Sequence, residues 1–225
     1  MVVTWRQRLA VGGLVAAMLA VACNPITGSF FLLFGVDPKE PAEFHLAAEG
    51  KEIRVLILAY SAMEPRPELV GVDKALGHMV AKKLQESCQA NKEKIRIVPA
   101  HKVDKFKDDH PGWKSMSATE IGRKFDADFI IDLEIVDMSL YEPGSHNRIC
   151  KGRSHVAVAL LDLQKVEEGP IFKKEYTTEY PKARGPIPIE DTNREQFRDN
   201  FLTKMATDIA WLFTDHKVED DYGRD

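Results

Sequence analysis

The sequence lacks the short signatures that mark the commonest catalytic sites. It holds no HExxH, no GxSxG, no P-loop and no GxGxxG, so nothing of that kind points to an enzyme. Positive charge is not in excess. The 31 Lys and Arg stand against 35 Asp and Glu, a net charge of −4, which argues against a nucleic-acid binder and its basic face. The apolar run near the amino terminus, Leu9 to Ala22, is roughly 14 residues, short of the ~20 that cross a bilayer as a helix. Internal repeats and low-complexity tracts are also missing. What is present has an ordinary globular balance, 44% hydrophobic and 29% charged, enough for one core of normal size.

Arg6 and Arg8 precede the apolar run, and small residues close it before Cys23. A positive start, a short apolar stretch and a small-residue site describe an export signal. Leu19-Ala20-Val21-Ala22-Cys23 resembles a bacterial lipobox, in which the cysteine takes acyl chains such as palmitate and becomes the first mature residue. Ala22 fits that pattern, while Ala20 stands where leucine is usual and Leu19 sits one place early. Two alternatives stay open: a plain export signal with Cys23 incidental, and an uncleaved anchor, which Pro25 makes unattractive. Phe30 to Phe34, FFLLF, would lie near the membrane if Cys23 is lipidated, dipping in beside the acyl chains or packing on the domain. Asn24 is not the aspartate associated with inner-membrane retention, so the outer membrane is the default expectation. The implied organisation is a leader at 1–22, a membrane-proximal tether at 23–50, a globular domain at 51–216 and an acidic tail at 217–225. Within the tether, Val36 to Gly50 carries Pro38 and Pro41 and reads as a tether or as an extended arm along the domain edge.

The globular part is organised around Ile121 to Met138. A helix end, Ile121 to Phe125, passes through Asp126-Ala127-Asp128 into a strand in which Phe129, Ile131, Leu133 and Ile135 alternate with Ile130, Asp132, Glu134 and Val136. Before it, Ile53 to Tyr60 is a nearly continuous apolar run, as in a strand covered on both faces. Val72, Leu76, Met79, Val80 and Leu84 mark one face of a long helix, and Ile95 to Val98 a short second strand. Val103 and Phe106 suggest one or two helical turns, and Ser117 to Glu120 is a capping box. After the polar turn Tyr141 to Arg148 come a strand with Val156, Val158 and Leu160, then a second with Phe172, Tyr176 and Tyr180. A helix with Phe197, Phe201, Met205, Ile209 and Leu212 closes the chain. The order β-α-β-α-β-β-β-α predicts a two-layer α/β sandwich, its sheet mixed, its helices mainly on one face.

That order, the strand "IRVLILAY" and the passage "EIGRKFDADFIIDLEI" resemble the domain shared by the curli secretion channel lipoprotein and the amino-terminal domain of the Tol-system β-propeller protein. Lipoproteins that activate penicillin-binding proteins are similar too. The resemblance spans about Ile53 to Phe213, implies a fold, and brings no catalytic residues, metal or cofactor with it. The loops Tyr141 to Arg148 and Pro181 to Ile189 are too short and polar to build the membrane-inserted hairpins of the channel protein.

Few residues invite a chemical reading. Asp108-Asp109-His110 could form a metal corner or a solvated loop before Pro111, with no third ligand nearby in sequence. Asp132 and Glu134 project from one side of a strand; the pair could do acid–base work, or simply meet solvent or cross-strand lysines. His146 and His155 have no evident partners. Tyr176 and Tyr180 could be a binding stripe or core packing. Cys88 ends a helix near the starting edge of the parallel strands, and Cys150 begins a strand entered from the far end, so both are expected to be free thiols. The function expected is a membrane-anchored, non-catalytic module binding an envelope protein or the cell-wall machinery. The alternatives are a structural or secretion-assembly subunit that oligomerises, and an enzyme using Asp132 and Glu134.

Overall fold

The structure, a computed structural model, describes residues 39–46, 51–165, 168–182 and 185–217. Cys23, Phe30 to Phe34, the leader and the acidic end 218–225 lie outside the described residues. Among the described residues no helix is long and apolar enough to cross a membrane.

The protein is an α/β sandwich built on a mixed sheet. Strand β1 is Lys39–Glu40, β2 Ile53–Ser61, β3 Ile95–Ile97, β4 Phe129–Tyr141, β5 Ile149–Asp162, β6 Phe172–Tyr180, β7 Ile187–Pro188 and β8 His216–Lys217. Helix α1 is Val72–Ala90, α2 Ala100–Asp109, α3 Ala118–Phe125 and α4 Arg194–Trp211. The main sheet runs β3-β2-β4-β5-β6, with β7 also on β5. β2 is parallel to β3 and β4, and β5 is antiparallel to β4 and β6.

Burial follows from the sequence pattern. β2 is apolar throughout because both its faces are covered: Val55, Ile57 and Ala59 enter the larger core, Leu56 and Leu58 a smaller one on the opposite face. The larger core lies under α1 and α4, whose Leu76, Val80, Leu84, Phe201, Leu202 and Met205 are fully enclosed. At about 1.5–3 kcal/mol for each such side chain, this layer dominates the stability. The smaller core gathers Val103 and Phe106 of α2, Ile121 and Phe125 of α3, Trp113, Val98 and Ile130. Thus the two long helices cover one face of the whole sheet, and α2 and α3 cover only the parallel corner of the other. α2, at ten residues, is longer than the one or two turns its apolar spacing suggests, although Val103 and Phe106 are its only buried residues.

The Asp126-Ala127-Asp128 turn joins α3 to β4. Asp126 ends the helix in the left-handed conformation, φ 51° and ψ 44°, one that aspartate tolerates better than most residues. Asp128 ties the turn to β2. Its Oδ2 accepts from the Arg54 amide at 2.9 Å, its Oδ1 from Lys51 Nζ at 2.9 Å, and its own amide donates to the Arg54 carbonyl at 2.8 Å.

Residues 39–46 run along the domain. β1 pairs with β8, the Phe44 amide donates to the Leu212 carbonyl at 2.9 Å, and Leu46 is buried in the larger core. Packing of the folded unit therefore extends amino-terminally of residue 51.

Candidate functional site

A cluster of ionisable groups sits where β2 ends. Parallel register sets Leu58 beside Asp132 and Tyr60 beside Glu134. Side chains alternate along a strand, so Tyr60, Asp132 and Glu134 share the face that carries α2 and α3. The Tyr60 hydroxyl lies 3.4 Å from Asp132 Oδ2 and 3.4 Å from Glu134 Oε2, one donor between two carboxylates. Burial pushes the Asp132 carboxyl up to about 6; the Tyr60 hydroxyl opposes that rise, Glu134 adds to it and Lys107 subtracts. Burial, then the charges of Asp132 and Glu134, hold the Tyr60 phenol well above its usual range.

Two lysines and an indole frame the group. Lys107 of α2 donates to the Ala59 carbonyl at 2.5 Å and stands 4.7 Å from the centre of the Trp113 ring. Burial lowers its ammonium below the ordinary lysine range. Lys114 reaches the Ser61 carbonyl at 3.4 Å and lies 5.2 Å from the centre of the Tyr60 ring. Tyr60 and Trp113 meet edge to face at 6.0 Å. Both ammonium groups are thus engaged by carbonyls at the end of β2.

Across β5 the carboxylates face no lysine. The residues opposite Asp132 and Glu134 are Ala159 and Ala157, so of solvent or cross-strand lysines the pair meets solvent, half-buried beside small side chains. The arrangement can keep a proton on Asp132 up to about pH 6, or accept donors from a group laid on the sheet. The sequence reading does not reach Tyr60 as their partner. The only signal for it is a hydroxyl-bearing aromatic closing an aliphatic strand.

The other candidates resolve individually. Asp108 and Asp109 are exposed at the end of α2, and the His110 ring turns back to the Phe106 carbonyl, 2.9 Å from Nδ1. Among the described residues no three His, Cys, Asp or Glu side chains converge as a metal site would require. His146 is exposed in the β4–β5 turn at φ 51°. His155, for which the sequence offers no partner, has one across the strand: its Nε2 lies 2.6 Å from Glu175 Oε2. Nearby, Arg153 bridges Glu142 and Glu179, at 2.9 and 3.2 Å. Tyr180 is buried against Phe197 and Phe201, and Tyr176 packs on the same core with its hydroxyl bonded to Asp208, so both belong to the packing and form no surface stripe. Cys88 and Cys150 are free and buried, as their opposed positions predict.

No protein-family model and no curated protein matches the sequence. Solved structures with a similar fold include bacterial lipoproteins. A PelC dodecamer from Paraburkholderia phytofirmans is similar at 10% identity, covering 76% of this chain and 94% of that one, with a TM-score of 0.42. Lipoprotein GNA1162 from Neisseria meningitidis is similar at 10% identity over 59% of this chain and 84% of that one, TM-score 0.40. The LpoB C-terminal domain from Salmonella enterica is similar at 12% identity over 58% and 87%, TM-score 0.33.

Proposed function

We propose that this chain is a lipoprotein of the bacterial envelope, anchored by acyl chains on Cys23 and facing the periplasm from the outer membrane. Its α/β domain acts by binding an envelope protein or the cell-wall machinery, without catalysis. The observation that carries this reading is the amino-terminal pattern: Arg6 and Arg8, the apolar Leu9 to Ala22, and a lipobox-like Leu19 to Cys23. A second support is the role of Asp126-Ala127-Asp128. This is the motif of the curli-channel and Tol-system resemblance, and it is occupied in joining α3 to β4 and β2, work that concerns the fold. A structural or secretion-assembly subunit would share the anchor and differ in self-association. An acid–base enzyme would use Asp132 and Glu134, and the raised Asp132 carboxyl favours it over any other catalytic reading.

The test is metabolic labelling with radioactive palmitate of cells expressing the wild type and Cys23→Ala. Label on the wild type that is lost in the variant, together with a shift of the variant out of the membrane fraction, supports the anchor. Equal label in both ends it.

A further inference from the structure

β6 forms one edge of the main sheet. Its inner side is taken by β5, and among the described residues no other segment's backbone bonds to Phe172–Tyr180. A nine-residue open edge is a template for another strand. Lys173, Glu175, Thr177 and Glu179 stand exposed along the face of β6 away from α4, while Lys174, Tyr176 and Thr178 point to the helix side.

Two copies meeting edge to edge about a two-fold axis perpendicular to the sheet would pair antiparallel, with residues of the same face opposite one another. Few registers overlap most of the strand. Centring on Lys174 sets that lysine against itself, centring on Glu175 sets Glu175 against itself, and centring on Thr177 sets Glu175 against Glu179 twice. Centring on Tyr176 opposes no like charges. It places Lys173 across from Glu179 and Glu175 across from Thr177, each twice. Lys173 makes no ion pair among the described residues and is available to a partner copy's Glu179, a carboxylate that Arg153 at 3.2 Å and Lys151 at 3.3 Å already hold in place.

We propose that β6 is a self-association edge: two copies of this chain pair through β6 in the register centred on Tyr176, continuing the sheet from one domain into the next. The contact is the same patch on both partners, so it closes at two copies and does not propagate. It needs no lipid, so its failure would leave the anchor reading untouched.

Sedimentation of the full-length chain in density-matched detergent, over a range of protein concentration and salt, tests it. The wild type should form a reversible dimer that weakens as salt rises. Lys173→Glu sets glutamate against Glu179 twice and should weaken the dimer about tenfold, whereas Thr177→Lys sets lysine against Glu175 twice and should tighten it about fivefold. Both positions are exposed, and unchanged circular dichroism serves as the folding control. A wild type that stays monomeric, or a dimer whose affinity neither substitution moves in its stated direction, overturns the proposal.

Discussion

Asp128 and Asp132 lie four positions apart in sequence and respond to burial in opposite ways. At Asp128 burial pushes the carboxyl up, but the Arg54 amide and the Lys51 ammonium outweigh it and leave the group below its ordinary value. Such a group stabilises the fold above the unfolded carboxyl range, and that contribution fades as pH falls through its lowered value. At Asp132 burial prevails, and the carboxyl titrates near 6. Here the folded state binds the extra proton between about pH 4 and 6, so stability falls as pH rises through that window and then levels off. Asp132→Asn keeps an acceptor for Tyr60 and removes the charge. Urea unfolding should find this variant more stable than the wild type by about 1–2 kcal/mol at pH 7.5, a figure reduced for the residue's partial exposure, and equal to it near pH 4. A variant less stable than wild type at pH 7.5 would mean that the ionised carboxylate contributes to the fold.

The elements legible in the sequence are those specified by local chemistry or long periodicity. The capping box is one: Ser117 Oγ accepts from the Glu120 amide at 3.2 Å and Glu120 Oε2 from the Ser117 amide at 2.8 Å. β2, β4, α1 and α4 are others, each with an apolar pattern long enough to fix its type and buried face. The two-residue strands β1, β7 and β8 are not legible, because they exist only through partners far away in the chain. Nor is the join of Tyr60 to Asp132 and Glu134, which depends on the register of β2 against β4 across more than seventy residues. Two glycines show a further limit. A methyl group on Gly122 would run only into the flexible end of Leu163, whereas on Gly152 it would meet the Phe201 ring at 2.7, 2.8 and 2.9 Å. Phe201, on α4, is fully buried against β5 and has little room to move. Gly152→Ala should therefore cost about 1–3 kcal/mol in denaturant unfolding, the usual penalty for overpacking a core. A loss under ~0.5 kcal/mol would show that α4 can shift on the sheet.

At the scale of the whole molecule, the decisive question is how a chain anchored at Cys23 would deliver its domain. The stretch from Cys23 to Lys39 can reach at most ~55 Å when fully extended. After it, the chain does not hang free. The Ala42 amide donates to Asp215 Oδ1 at 3.0 Å, Lys39 Nζ donates to Asn91 at 2.6 Å, Glu43 pairs with Lys174, and the Phe44 ring lies 5.9 Å from that of Phe172. Leu46, 3% exposed, fills a place in the larger core. These contacts join residues 39–46 to the carboxyl-terminal end of the domain and to β6, and so tie the arm to the folded unit at that corner. Leu46→Ala leaves the polar contacts in place and removes only the buried side chain. If the arm belongs to the fold, the substitution should cost about 2–4 kcal/mol in urea unfolding, as a large-to-small change in a closed core does. Limited proteolysis should also cut the variant's arm faster, at concentrations that leave the rest of the domain intact. A side chain on a loose tether would give neither effect, and stability and cleavage equal to wild type would place the start of the folded unit at residue 51 after all.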